Sequence, residues 1–552
     1  MKASDLFVKC LESEGVEAIF GIIGEENADT MISLLDSSIE FVVCRHEQAA
    51  AFMADMYGRV TGKPGVCLAT LGPGATNLTT GLGQANMDCS PVVAIIGQAG
   101  TDRMHKESHQ NMDAVTMFQP LAKWVSTVRE PNNIPEIVRK AFKLAVSEKP
   151  GVTVIELPED IAEGESDLEP IRAKADVEKT GIDPIRIAAA LKLIAESSYP
   201  VMLVGYGCVR ARARTEVEAF ADKSGIYGAE TFQGKGGISI NNSHAFATVG
   251  LGARDIALEA FEKADLVITL GYDMVEWHPD RWNVGQPKKI IHIDTLPAEV
   301  DYQYNIDVEI IGDIRSALAA LTAGLTDEHQ AARSAGYKEA MDGLRQTMKA
   351  ELKEHHDDDG FPMKPQRILG DLRKVMGDDD ILISDVGAHK MWVARNYPAH
   401  EAGTVFISNG FCSMAGSMPG AIAAKHVHPE RNVVALCGDG GFLMNVQDMI
   451  TAARYKKPIT VLLWVDNQFG LIRWKQEARF GKFSNIKLEN PDFVKLADSF
   501  GWQPIAVQAA DQFVPAMEKA FAEKSKPTLV IVPVDYDENM KLTKRLGEII
   551  SH

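Results

Sequence analysis

Two aspartates each stand where an apolar run stops. Asp439 follows "NVVALCG" (432–438) and is followed by Gly440 and Gly441; Asp466 follows "PITVLLWV" (458–465). Runs that are apolar throughout belong to strands buried on both faces of a parallel sheet. Such a strand seldom closes on a charge set among glycines. Between the two, "FLMNVQDMITAARYKK" puts Phe442, Leu443, Val446, Met449, Ile450 and Ala453 on one helical face. The spacing predicts strand, turn, helix, strand, which makes the strands parallel and brings their C-terminal ends to one sheet edge. The two carboxylates then converge beside the amides of Gly438, Gly440 and Gly441 and a helix N-terminus, an anion seat. Carboxylates beside an anion seat call for a cation, and Mg²⁺, which shares oxygen ligands with phosphates, fits best. The other reading is that Asp439 caps a helix and Asp466 opens a turn.

The elements that must position these residues follow one pattern along all 552 residues. Apolar runs alternate with helix-period segments, the βαβ signature of α/β folds. Charged segments at 159–181 and 325–362 divide the chain, predicting three consecutive doubly wound parallel-sheet domains at 1–165, 183–330 and 360–545. A third carboxylate, Glu47, ends "IEFVVCRHE" just before the helical "QAAAFMADMYGRV"; taken alone it reads as a first-turn residue favoured by the helix dipole. The net charge of −19 argues against nucleic-acid or anionic-membrane partners, which need a basic face. No apolar run reaches the roughly 18 residues of a bilayer span. The start, "MKASDLFVKCLESEGV", reads as an amphipathic helix and not a leader. Seven cysteines without a C-x-x-C pair read as free thiols of a reducing compartment, and a cytoplasmic location is expected. No G-x-x-x-x-G-K-[ST] occurs, so a P-loop nucleotide module is not indicated.

"GDGGFLMNVQDMITAARYKKPITVLLWVDNQFG" resembles the metal motif of thiamine-diphosphate enzymes, with Val465-Asp466 where many relatives have Asn-Asn. The resemblance implies Asp439, Asp466 and the carbonyl of Gln468 as Mg²⁺ ligands, and Gly438, Asp439, Gly440, Gly441 and Asn467 around the diphosphate. "SDVGAHKMW" (384–392) is similar to the segment that touches the diphosphate, through Gly387, Ala388 and His389. "ISNGFCSMAGSMPGA" (407–421) is similar to the segment whose Met, here Met414, props the cofactor into its bent form; the Cys412 carbonyl would accept from the aminopyrimidine. Outside these motifs Met414 reads as core packing and His389 as a structural histidine. "CRHEQAAAFMADMYGRVTGKPGVCLATLGPGATN" resembles the pyrimidine domain of the same enzymes. Glu47 would then hydrogen-bond the pyrimidine N1′, with Gly72, Pro73 and Gly74 lining the pocket. The first, second and third domains become pyrimidine-binding, central and diphosphate/Mg-binding.

Within that family the chain is most similar to acetolactate synthases. "RMHKESHQNMDAVTMFQPLAKW" (103–124) looks like their active-site segment and gives Gln110 a place near the thiazolium and substrate. The implied activity is decarboxylation of pyruvate and transfer of the hydroxyethyl unit to a second 2-keto acid, giving 2-acetolactate and CO₂. Biosynthetic members carry FAD and an Arg-Phe-Asp-Asp-Arg segment; here "ITLGYDMVEWHPDRWNVG" (268–285) resembles the catabolic, FAD-free members, and FAD is not expected. Biosynthetic members also carry a Trp that favours 2-ketobutyrate. Aligned on Gly470 that position is Lys475, with Trp474 one residue early, so pyruvate is the expected acceptor. Met391 and Leu471 are candidate walls of the substrate pocket. In the family the pyrimidine domain of one subunit meets the diphosphate domain of another, which implies a homodimer or tetramer. The nearest rivals are a thiamine-dependent 2-keto-acid decarboxylase, a glyoxylate carboligase and a pyruvate oxidase; Glu47 speaks against the glyoxylate enzyme, which has an apolar residue there.

Overall fold

The computed structural model describes residues 1–172, 180–250, 256–283 and 287–539. Residues 173–179 of the first charged segment, 284 and 285 of the aromatic segment, and the expected end of the third domain at 540–545 lie outside the described residues. The apolar runs become strands of three sheets, each of six parallel strands. The first holds β1 (Ala18–Gly21), β2 (Glu40–Val43), β3 (Gly65–Ala69), β4 (Val92–Gln98), β5 (Trp124–Thr127) and β6 (Val152–Pro158), in the order β2-β1-β3-β4-β6-β5. The second holds β7 (Pro200–Val204), β8 (Tyr227–Glu230), β9 (Ala245–Thr248), β10 (Leu266–Leu270), β11 (Lys289–Asp294) and β12 (Val308–Ile311), in the order β12-β11-β10-β7-β8-β9. The third holds β13 (Ile381–Ser384), β14 (Val405–Ile407), β15 (Val433–Gly438), β16 (Thr460–Val465), β17 (Gln503–Ala506) and β18 (Thr528–Pro533), in the order β14-β13-β15-β16-β18-β17.

Each sheet has a point where successive connections run to opposite sides, and ligands of open α/β sheets bind in the crevice there, outside the carboxyl ends of the strands. In the third sheet the crevice lies between β13 and β15. The segments around Gly387–His389 and Gly438–Gly441 leave the sheet on either side of it.

One expected element differs. The segment after the glycine turn is not one helix. It forms a helix Asp439–Leu443, a 3₁₀ turn Val446–Asp448 and a helix Met449–Arg454. The break falls at Asn445, which is buried and donates through Nδ2 to the Ala415 carbonyl at 3.0 Å. That tertiary bond outweighs the continuous helical pattern, although Phe442 and Met449 still face the core.

The first and third domains share one core. Residues from both, such as Phe20, Met53, Ile383 and Leu463, form a single cluster. Helix Glu47–Thr61 lies against helix Ser417–Val427, close enough that a Cβ on Gly420 would touch Met56. No helix among the described residues is long and apolar enough to cross a membrane.

Candidate active site

Asp439 is the first residue of the short helix after β15, and its side chain is almost fully enclosed. Oδ2 accepts from the Asn467 amide and from Asn490 Nδ2, both at 2.7 Å; Oδ1 accepts from the Gly440 amide at 3.0 Å. Asn490 also donates to Asn467 Oδ1 at 2.9 Å. Asp466 follows β16, the neighbour of β15, and its Oδ2 is buried with no hydrogen-bond partner. Burial, and then the neighbouring Asp439, push the Asp466 carboxyl up to about 7. Burial also raises Asp439. A buried carboxylate raised by a second one beside it, with an oxygen unused, is what a divalent cation relieves. The Gln468 carbonyl already accepts from the Gly470 amide at 3.0 Å and has a second lone pair for a metal.

Across the crevice, His389 is buried, and its Nε2 has no partner. A Cβ on Gly387 would meet its ring at 2.6 Å and one on Gly438 at 3.4 Å. The imidazole therefore leans on both glycine turns. Burial lowers its pKa to about 4, so it stands neutral. A Cβ on Gly440 would meet the Phe469 ring at 3.0 Å, and one on Gly441 would meet Asp385 Oδ2 at 2.7 Å. The turn is glycine because only bare backbone fits. Unpartnered Asp466 Oδ2 and His389 Nε2 on either side of such a turn fit a metal-bound diphosphate.

The loop carrying Cys412 and Met414 is strained. Cys412 has φ 56° and Ala415 φ 77°, both left-handed and neither glycine. Three buried side chains hold it. Asp385 accepts from the Ala415 amide at 2.9 Å, and burial pushes its carboxyl up to about 7. Asn445 takes the Ala415 carbonyl. Asp88, from the first domain, accepts from Ser408 Oγ at 2.6 Å and the Gly410 amide at 2.7 Å, with buried Arg59 as its counter-ion. Met414 itself is half-buried. Asp88 and Asn490 escape sequence reasoning because they lie in no quoted motif and reach the site from other segments, whereas Asp385 and Asn445 lie inside quoted motifs without a role being read for them.

In the first domain Glu47 opens helix Glu47–Thr61, capped by His46, whose Nδ1 accepts from the Gln48 amide at 3.1 Å. Glu47 is buried, and its Oε2 accepts from Asn77 Nδ2 at 2.9 Å. Its Oε1 lies 3.5 Å from where Gly74 would carry a Cβ. Gly72 has φ 53°, and a Cβ there would strike the Gln110 carbonyl at 2.7 Å. Glu47, Asn77, Gly72, Pro73, Gly74 and Gln110 thus form one neighbourhood, with the Gln110 side chain exposed. Asn77 is the member that sequence reasoning named only as part of "LGPGATN".

The remaining candidates are less central. Met391 and Leu471 are half-buried against the third-domain core. Lys475 is exposed, while Trp474 is buried with its indole N–H unpaired and lines a cavity of about 670 Å³ with Asp466 and Gln468. In the central sheet the crevice between β7 and β10 is filled by the chain itself. A Cβ on Gly205 would meet the Gly271 carbonyl at 2.4 Å, and the Glu276 carboxylate accepts from the Tyr206 amide at 3.0 Å.

Comparison with known proteins matches three regions to thiamine pyrophosphate enzymes: residues 1–117 to the N-terminal TPP binding domain, 187–321 to the central domain and 385–532 to the C-terminal TPP binding domain. Acetolactate synthase of Bacillus subtilis (strain 168) is 34% identical over 100% of this chain and 97% of its own length. The catabolic acetolactate synthase of Raoultella terrigena is 34% identical over 98% of this chain and 97% of its own. A probable acetolactate synthase large subunit of Methanocaldococcus jannaschii is 34% identical over 100% of this chain and 94% of its own. Similarity that runs end to end, through all three domains, means that this chain belongs to the acetolactate synthase family of thiamine pyrophosphate enzymes.

Proposed function

We propose that the chain is a thiamine-diphosphate- and Mg²⁺-dependent acetolactate synthase that condenses two pyruvates into 2-acetolactate and CO₂. The observation that carries this reading is the placing of Asp439 and Asp466 at the ends of the neighbouring strands β15 and β16, with Asp466 Oδ2 buried and without a hydrogen-bond partner. When bound, thiamine diphosphate supplies the nucleophilic carbon and the electron sink for loss of CO₂. The chain supplies the rest. Asp439, Asp466 and the Gln468 carbonyl hold Mg²⁺, which fixes the diphosphate and does no redox work. Gly438 and Gly441, with Gly387, Ala388 and neutral His389, would line the phosphate oxygens beside Asn467, while the Gly440 amide holds Asp439 Oδ1. Met414 would support the cofactor from the 408–415 loop, and the Cys412 carbonyl would accept from its amino group. Glu47, steadied by Asn77, holds the proton at the pyrimidine N1′ and so sets the tautomer. Gln110, packed on Gly72 next to Pro73 and Gly74, orients pyruvate, with Met391 and Leu471 as walls.

The active unit is a homodimer or tetramer in which Glu47 and Asp439 of one chain serve different cofactors. The domain limits are 1–165, 183–330 and 360–545, and the compartment is the cytoplasm. FAD is left out of this reading because "ITLGYDMVEWHPDRWNVG" (268–285) resembles the segment of the FAD-free members. Pyruvate is the acceptor, since Lys475 and not Trp occupies the position that favours a longer keto acid. The test is incubation of the purified chain with pyruvate, thiamine diphosphate and Mg²⁺. Acetolactate should form, and the protein should lack a flavin's yellow band. Acetaldehyde alone would assign a decarboxylase, and acetyl phosphate with a yellow protein a pyruvate oxidase.

A further inference from the structure

Six of the seven cysteines are buried, among them Cys10 and Cys67, whose thiols burial pushes up to about 12, and Cys89, pushed up to about 11. Among the described residues Cys412 alone is a partly exposed cysteine, and alone touches an ammonium: Lys390 Nζ lies 3.1 Å from its Sγ. The thiol in turn faces the Asn409 carbonyl at 3.1 Å and the Ser408 carbonyl at 3.9 Å.

Lys390 is only 6% exposed. Its other partners are Asn409 Oδ1 at 3.0 Å and the face of Phe232, with the charge 5.4 Å from the ring centre. All are neutral. Among the described residues no carboxylate pairs with this ammonium, and the Cys412 sulfur lies against it. A cysteine in contact with a cation, partly open to solvent, is the arrangement in which sulfur acts as a nucleophile.

We propose that Cys412 and Lys390 form a reactive thiol pair, a modification site for peroxide and other small electrophiles, set in the loop that holds the cofactor. With hydrogen peroxide the sulfur attacks one oxygen: the S–O bond forms, the O–O bond breaks, and the departing hydroxide leaves as water with the thiol proton. Sulfur is oxidised by two electrons to the sulfenic acid while peroxide is reduced. With iodoacetamide an S–C bond replaces the C–I bond, and iodide and a proton leave. Any added group must fit between Lys390 and the Asn409 carbonyl, so the strained 408–415 loop has to shift. The consequence for cofactor retention rests on the proposed function; the reactivity of the thiol does not.

The test is brief treatment of the full chain with limiting iodoacetamide, and mapping of labelled peptides by mass spectrometry. Cys412 should label at least roughly tenfold faster than any other cysteine, and Lys390→Met should remove most of that advantage. Thiamine diphosphate with Mg²⁺ should slow the labelling. Peroxide should lower cofactor retention until dithiothreitol restores it, and whatever activity Cys412→Ser keeps should be insensitive to peroxide. Labelling spread evenly over the cysteines, or an unchanged rate in Lys390→Met, overturns the pair. Fast, lysine-dependent labelling without cofactor protection overturns the cofactor link, and with it the role given to the Cys412 carbonyl.

Discussion

Asp466 keeps one oxygen without a partner although most of its surface is covered, and that single feature governs how the site should respond to pH. Its carboxyl is raised from 3.8 to about 7. Below that value it carries a proton and cannot ligate a cation; above it the ligand is free. Mg²⁺ affinity, measured by titration calorimetry with thiamine diphosphate present, should therefore be full above about pH 7 and fall as pH drops through that value. Stability follows the opposite course without metal. A carboxyl whose folded pKa is raised favours the fold while protonated, so the metal-free chain should lose stability as pH rises from about 4 to about 7, and Mg²⁺ should restore it. Removing the carboxylate that Asp466 faces has a different signature from removing Glu47. Asp439→Ala should abolish cofactor retention in a gel-filtration assay. Glu47→Gln should retain cofactor and lose about 10²–10⁴-fold in kcat, the usual worth of a positioned proton-transfer group. Asp439 and Asp466 were legible in the sequence because a βαβ unit has only one way to place its strand ends. Asp88 was not: it meets Ser408 across more than half the chain, and no spacing rule reaches that far.

At the scale of elements, the loop from Ser408 to Ala415 is the least self-sufficient part of the site. Two left-handed non-glycine residues are costly, and the cost is carried by Asp88, Asp385 and Asn445. Asp88→Ala would leave Arg59 buried with Asp55 as its remaining partner. It should destabilise the chain by about 3–5 kcal/mol in denaturant unfolding and weaken thiamine diphosphate binding, whereas Asp88→Asn should recover part of the binding. The sequence also reads some elements better than others. The central strands, buried on both faces, appear as unbroken apolar runs. β5 and β17 are edge strands, half-exposed and four residues long, and no such run marks them. The helix drawn through Asn445 fails for a related reason, since a helical period records which residues face the core but not where a side chain breaks the backbone ladder.

For the whole molecule, the first and third sheets share one strand order and the central sheet has another, and the crevices differ as well. At the third crevice the glycine turns Gly387 and Gly438 surround His389, while at the central one Gly205 packs on Gly271 and Glu276 takes the Tyr206 amide. Burial pushes the Glu276 carboxyl up to about 7, an added reason to keep it hydrogen-bonded to backbone amides. The first and third domains share a core within one chain, yet the proposed assembly has each cofactor span two chains. Mixed subunits separate the possibilities. Coexpressed Glu47→Gln and Asp439→Ala chains should regain about a quarter of wild-type activity, because half of random dimers are mixed and each has one intact site. If both residues served the same site, activity would stay near zero.

The account stands most directly on the stoichiometry of pyruvate turnover. With thiamine diphosphate and Mg²⁺, the purified chain should release one CO₂ for every two pyruvates consumed, with acetolactate equal to the CO₂, and Glu47→Gln should show almost none of this while still holding the cofactor. One CO₂ per pyruvate, with acetaldehyde as the product, or undiminished turnover in Glu47→Gln, would contradict it.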